Sequence, residues 1–116
     1  MIHSKIGRAL GACSMVCALA GLSPAALGVD EAAAQALAKK NDCLKCHSVD
    51  KDKKGPSYQK IAAKYKGKPD GEEKAIKNIT MGQKVKLEDG TEEDHKIIDT
   101  KDVKVQTNVA RWMLSH

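Results

Sequence analysis

The five residues from Cys43 to His47, CLKCH, constrain this chain more than any other stretch. Two cysteines stand three positions apart, and a histidine follows the second one directly. Such a group can be half of a zinc site, a redox-active dithiol or the attachment point of a haem. The choice matters for folding as well as for function, because the 116 residues contain no phenylalanine and only three aromatic side chains of the Tyr and Trp type. A small domain so poor in large core residues usually needs a disulfide, a metal or a cofactor to fold stably.

The N-terminal residues have the pattern of an export signal. Lys5 and Arg8 precede an uncharged apolar run, and Ala26 and Gly28 are small residues at the −3 and −1 positions of a cleavage site before Val29. The run is too short for a comfortable membrane span. We therefore predict a signal peptide over residues 1–28, a single domain over residues 29–116, a periplasmic location and no stable membrane insertion. An uncleaved anchor and a lipid attached to Cys13 are the alternatives.

Removal of this segment changes both the charge and the number of cysteines. Lysine plus arginine falls from 20 to 18 against 15 acidic residues, so the formal net charge falls from +5 to +3. Such a modest charge makes nucleic acid an unexpected partner. Cys43 and Cys46 are the only cysteines left, and loose thiols do not persist in an oxidising compartment.

The three kinds of site make different demands on the rest of the sequence. A structural zinc site needs four ligands, commonly in two separated pairs, and the chain has no second CxxC. A thioredoxin-like dithiol follows a strand, whereas the residues before Cys43 have a helical pattern. Haem attachment accounts for the whole motif, because two thiols at this spacing reach one edge of the ring and the next residue lies under the iron. We therefore predict one covalent haem c on Cys43 and Cys46, with His47 as an iron ligand.

The mature chain reads as helices separated by polar turns. Asp30 is a good N-cap for an alanine-rich helix that Asn41 can end, Ser57 for a second helix that ends before Gly67, and Thr100 is predicted to open the last one. A third helix is predicted over residues 70–81. Between the third and last helices, Asp89 and Gly90 form a hairpin-turn signal inside an irregular ribbon.

These pieces, in this order, resemble the small bacterial class I c-type cytochromes. The resemblance covers essentially all of residues 30–116 and lies in the helix before CLKCH, the GPSY that follows it, the IAAKYKG helix and the terminal ARWMLSH. It implies an all-α fold of about four helices around one covalent haem, with the first and last helices crossing. It also implies that the Pro56 carbonyl orients His47 and that Pro56 and Trp112 belong to the cofactor-binding residues.

The chain departs from this family at the sixth iron ligand. The family supplies a methionine from a proline-rich loop before the last helix, but here no proline follows Pro69. When the sequences are aligned on Trp112, His95 falls about where that methionine stands, so we predict His95 as the distal ligand. Met81, at the end of the third helix, is the alternative ligand. If it is not a ligand, we expect it to be a core residue that fills a gap in the packing. Met113 and His116 look structural.

The resemblance implies a function in electron transfer rather than catalysis. We expect a one-electron carrier, not an enzyme, that works as a monomer or as a subunit of an oxidoreductase. The alternative is a haem protein with a displaceable sixth ligand that binds small gases or reduces peroxide. The partners of the electron carrier are expected to be redox proteins with acidic patches. The reason is that many lysines surround the attachment region: Lys45, Lys51, Lys53, Lys54, Lys60, Lys64, Lys66 and Lys68. An acidic segment follows at residues 88–94.

Overall fold

The computed structural model describes residues 28–116, which form five helices and one two-stranded ribbon. The predicted signal peptide lies, but for its last residue, outside the described residues. In chain order the elements are α1 (Glu31–Lys40), α2 (Cys43–Cys46), α3 (Tyr58–Tyr65), α4 (Gly71–Thr80), β1 (Lys84–Lys86), β2 (Glu92–Asp94) and α5 (Val103–Leu114). The predicted helical fold is confirmed, and the helix beyond the four that were predicted is α2, the single turn that carries the two cysteines.

Side-chain caps mark the starts of α1, α3 and α5. Asp30 accepts a hydrogen bond from the backbone nitrogen of Ala33 at 3.0 Å, and Ser57 accepts one from Lys60 at 3.2 Å, as the sequence predicts. The prediction that Thr100 opens the last helix was wrong. Asp102 is the N-cap of α5, while the Thr100 hydroxyl accepts a hydrogen bond from the backbone of Asp102 and so belongs to the preceding turn.

Helix α5 is the centre of the packing and contacts α1, α3 and α4. It buries Val109, Ala110, Trp112 and Met113 on one face. The fully buried side chains of α1 are both small, and these let the first and last helices approach closely: Ala34 and Ala38. The pair is also tied at its edge, because the Asn108 side chain exchanges hydrogen bonds of 2.8 and 2.9 Å with the backbone of Asp30.

The ribbon is an antiparallel hairpin on the surface of this helical frame. Lys84 pairs with Asp94 and Lys86 with Glu92, and the turn contains the predicted Asp89–Gly90 pair. Gly90 has a φ of +85°, which glycine adopts without the steric cost of a Cβ atom. At its base, a backbone hydrogen bond of 2.9 Å from Ile98 to Ile79 joins the ribbon to the end of α4. The hairpin therefore places the residues that directly follow β2 next to the helices.

No helix within residues 28–116 is long and apolar enough to cross a membrane.

Candidate haem-binding site

A cavity of about 580 Å³ lies between α2, α3, α4 and the hairpin. Its size is within the range of cofactor pockets. It brings together the whole attachment motif and the residue predicted to lie opposite: Cys43, Cys46, His47 and His95. Helical and hairpin side chains complete the wall, among them Tyr58, Tyr65, Asn78, Ile79, Gln83, Val85 and Met113.

His47 is held by the turn that follows the cysteines. Its Nδ1–H donates a hydrogen bond of 2.6 Å to the carbonyl oxygen of Pro56, which is the contact that the family resemblance implies. Gly55 makes the approach possible, because a Cβ atom there would lie 2.8 Å from His47 Cε1. With Nδ1 occupied as a donor, Nε2 is the nitrogen free to bind a metal. Pro56 thus acts on the site through the orientation of His47.

The two cysteines line the same cavity, and both are free thiols in the described part of the chain. Burial raises the pKa of the Cys43 thiol above its ordinary value. Reactive redox cysteines show the opposite, a pKa lowered by positive neighbours or a helix N-terminus. The environment of Cys43 therefore does not resemble that of a reactive redox thiol. Within residues 28–116, no three His, Cys, Asp or Glu side chains converge as a metal cluster.

His95 follows β2 directly and is half-buried. Its ring centroid lies 6.0 Å from that of His47, with the two planes inclined by 46°. Metal–imidazole bonds are about 2 Å long, so two imidazoles on opposite sides of one metal ion have ring centres about 6 Å apart. Burial, and secondarily the nearby His47, lowers the pKa of His95, which favours the neutral imidazole that binds metals.

The two methionines of this region lie in different surroundings. Met81 is 70% exposed and is not part of the cavity wall, so its interpretation as a core gap-filler was wrong. Met113 is buried at 7% exposure and does line the cavity, a role that its position in the sequence does not signal. His116 stacks on Tyr58 with ring centroids 5.8 Å apart, which agrees with the structural role predicted for it.

Trp112 lies one layer behind the cavity rather than in its wall. The ring is 2% exposed and packs edge-on against Tyr58, with centroids 5.1 Å apart. Tyr58 in turn stacks on His47, with ring centroids separated by 5.6 Å. Trp112 therefore supports the cavity wall through Tyr58, which the sequence analysis assigned only to a helix face, and its membership of the cofactor-binding residues stays a prediction.

The charges around the cavity are mixed. Of the eight lysines near the motif, three line the cavity: Lys54, Lys60 and Lys64. Lys60 is paired with Asp52, and Lys45 with Asp42, so part of the expected positive charge is compensated locally. Glu88, Glu93 and Asp94 of the acidic segment line the same cavity. The lysines and the acidic segment thus meet at one site instead of occupying separate faces.

These residues fit a covalently attached haem. Two thiols and an oriented imidazole line the cavity, a second imidazole lies at the spacing of a shared metal ion, and apolar side chains complete the lining. Comparison with known proteins agrees. The family model of cytochrome c matches residues 31–115.

Two solved structures are similar over most of the described chain. One is the class 1 cytochrome MtoD from Sideroxydans lithotrophicus ES-1, at 51% identity and a TM-score of 0.71, covering 75% of this chain and 96% of that one. The other is Nitrosomonas europaea cytochrome c552, at 29% identity and a TM-score of 0.50, covering 70% and 96%.

Curated relatives match shorter segments. Cytochrome c-551 of Pseudomonas denitrificans is 42% identical over 48 residues, which is 41% of this chain and 58% of that protein. Cytochrome c-551 of Allochromatium vinosum is 37% identical over 46 residues, 40% of this chain and 49% of that protein. The chain spans about half the length of these two relatives.

A helical frame around a cavity with this motif, together with the match to residues 31–115, shows that the chain belongs to the cytochrome c family. Within the family it is a small class I c-type cytochrome, and its cofactor is one covalent haem c.

Proposed function

We propose that this protein is a one-electron carrier whose single haem is held between two histidines. Cys43 and Cys46 form the two thioether links, His47 is the proximal ligand and His95 the distal one. The observation that carries the proposal is the 6.0 Å spacing of the two imidazole rings across the cavity. The haem supplies a one-electron couple when it is bound.

The protein's own part is to hold both axial positions. His47 is fixed by Pro56, and His95 is fixed by the backbone of the hairpin base, where its N–H donates to the Gln83 carbonyl oxygen at 2.9 Å. With both positions filled by side chains, no open site is left for a substrate. This arrangement supports electron transfer over catalysis and over reversible gas binding.

The choice of histidine instead of methionine affects the reduction potential. Histidine–methionine ligation raises the potential of c-type cytochromes. A second imidazole is a stronger donor to ferric iron, so it lowers the potential relative to that of the usual family member. The protein is thereby suited to a more reducing partner.

The proposed location is the periplasm, reached with the signal peptide of residues 1–28. The lysine and arginine residues near the start and the small residues before Val29 support export. Redox proteins on either side of the carrier are its proposed partners.

The visible spectrum of the purified protein tests the proposal. We expect sharp low-spin bands in both oxidation states and no change on addition of carbon monoxide, because neither imidazole is displaced. A high-spin spectrum, or rapid binding of carbon monoxide, would instead indicate a displaceable ligand and a gas-binding or peroxide-reducing protein. A colourless protein would rule out haem attachment altogether.

The lysines at the cavity give a second prediction. Lys54 and Lys64 line the cavity and form no ion pair within residues 28–116, so charge reversal of both to glutamate should slow electron transfer to an acidic partner. The same reversal at Lys39 and Lys101, which are exposed and outside the cavity, is the matched control and should have a smaller effect. Stopped-flow rate constants should also fall as salt rises. Equal effects of the two reversals would mean that these lysines serve solubility only.

A further inference from the structure

Two buried polar atoms, one on the proposed distal ligand and one on the residue opposite it in the hairpin, have no hydrogen-bond partner among the described residues. They are Gln83 Oε1 and His95 Nδ1. A buried polar atom left without a partner costs about 1–3 kcal/mol, so such groups are normally paired. One of these atoms can only accept a hydrogen bond, and the other becomes a donor as soon as Nε2 of the same ring binds a metal, because a neutral imidazole keeps one N–H. Their hydrogen-bonding capacities are therefore complementary.

The hairpin places the two side chains next to each other. The register that pairs Lys84 with Asp94 continues for one more step at the base, where the backbone N–H of His95 donates to the Gln83 carbonyl oxygen at 2.9 Å. Residues directly opposite each other in an antiparallel pair have Cβ atoms about 4.5–5.5 Å apart and share one face of the ribbon. Both side chains line the haem cavity.

The Gln83 amide is held in one orientation by the helices. Its Nε2–H donates to Asn78 Oδ1 at 2.6 Å, and Asn78 Nδ2–H donates to the Tyr65 hydroxyl at 2.9 Å. This chain of three side chains runs from α3 through α4 to the hairpin. The Gln83 amide nitrogen thus has a hydrogen-bond acceptor, whereas its amide oxygen has no donor among the described residues.

We propose that Gln83 is the positioning residue of the distal imidazole, and that its Oε1 accepts the hydrogen bond of His95 Nδ1–H. The inference rests on the proposed function, since it requires His95 as the ligand. The hydrogen bond fixes the tautomer with Nε2 directed to the metal, sets the plane of the ring and increases the donor strength of the imidazole. A stronger donor stabilises the ferric state, so Gln83 lowers the reduction potential.

A different acceptor is the competing arrangement. The backbone carbonyl groups of Lys96 and Asn78 lie close enough to His95 to raise its pKa, in opposition to burial. If one of them accepted the Nδ1–H bond, the side chain of Gln83 would have no effect on the iron. Side-chain substitutions separate the two arrangements, because they leave both backbone carbonyls in place.

The test compares the reduction potentials of three variants of the holoprotein. Gln83→Leu removes the acceptor, and we expect the potential to rise by about 59 mV, which is a tenfold change in the ferric-to-ferrous ratio of a one-electron couple. Asn78→Ala frees the Gln83 amide while keeping the Asn78 backbone, and we expect a smaller rise. Gln106→Leu is the matched control: this glutamine donates a 2.9 Å hydrogen bond to the Thr100 carbonyl away from the cavity, so its loss should leave the potential unchanged.

A second measurement does not depend on the variants folding. In the diamagnetic reduced wild type, the His95 Nδ1 proton should exchange slowly with solvent and show a nuclear Overhauser contact to the Gln83 side-chain amide. A Gln83→Leu potential equal to that of the Gln106→Leu control, or an Nδ1 proton without this contact, would overturn the assignment of Gln83. An electron paramagnetic resonance spectrum without the bis-imidazole signature would overturn the distal role of His95 itself, so the two failures are distinguishable.

Discussion

Replacing Cys43 and Cys46 together with alanine is expected to leave almost no folded, haem-bearing protein. The cavity between the motif and the hairpin has a volume of about 580 Å³. Its wall includes apolar side chains of α3, α4 and the hairpin that become exposed to water when the cofactor is missing. A small domain with so few large core residues usually depends on its cofactor to fold stably. We therefore expect the polypeptide without its cofactor to lose most of this fold.

Intact mass and far-ultraviolet circular dichroism check this expectation. Wild type should show the mass of the mature chain plus one haem and a helical spectrum, whereas the double variant should show the bare mass and little helix. The single variants Cys43→Ala and Cys46→Ala keep one link each and are the graded controls, with intermediate yields of holoprotein. A wild-type mass equal to that of the polypeptide alone would contradict covalent attachment.

Replacement of His95 is expected to have the second-largest effect, and it acts on the iron instead of the fold. His95→Ala should open the sixth position, so that the reduced protein binds carbon monoxide and its ferric spectrum becomes partly high-spin. His95→Met should restore a six-coordinate site of the usual family type and raise the reduction potential by roughly 100 mV, because axial ligands are a principal determinant of haem potentials. Optical titration and carbon monoxide difference spectra measure both effects.

The methionines provide the controls for this experiment. Met81→Leu should be nearly silent, since Met81 is 70% exposed and lies outside the cavity wall. Met113→Leu keeps the size of a buried side chain of that wall and should change stability slightly without opening the sixth position. A methionine-to-iron charge-transfer band in the wild-type ferric protein, abolished by either leucine variant, would transfer the distal role to that methionine.

The parts of the fold that could be predicted from the sequence are those fixed by local chemistry. Asp30 and Ser57 cap their helices through a side chain three residues from its target, and Asp89–Gly90 marks a tight turn by its own backbone preferences. CLKCH is likewise a local motif, and its role in haem attachment could be predicted once the missing second CxxC and the helical pattern before Cys43 had excluded the other kinds of site. The start of α5 was missed because Thr100 and Asp102 are both acceptable caps, and the choice depends on how the preceding turn packs.

The parts that could not be predicted depend on which way a side chain faces. Met81 and Met113 both end helical segments, yet one faces solvent and the other the cavity. Trp112 packs behind Tyr58 instead of lining the cavity itself, and the sequence does not show this layering. Gln83 is not part of any recognisable sequence motif. Its position opposite His95 follows from a turn centred on Asp89, but it can be inferred only when the strand register is known.

The hairpin has an evolutionary consequence of its own. On our proposal, the segment from β1 to β2 is the only element that delivers the distal ligand, and it rests on the frame through bonds at its base, from His95 to Gln83 and from Ile98 to Ile79. Its tip is open, since a side chain at Gly90 would meet no atom within 4 Å. Insertions and deletions at the tip would thus leave the base in place, while an exchange of the whole segment would replace the ligand without altering the helices. Such a layout would allow the distal ligand, and with it the reduction potential, to change in evolution through the exchange of about a dozen residues, without changes in the rest of the gene.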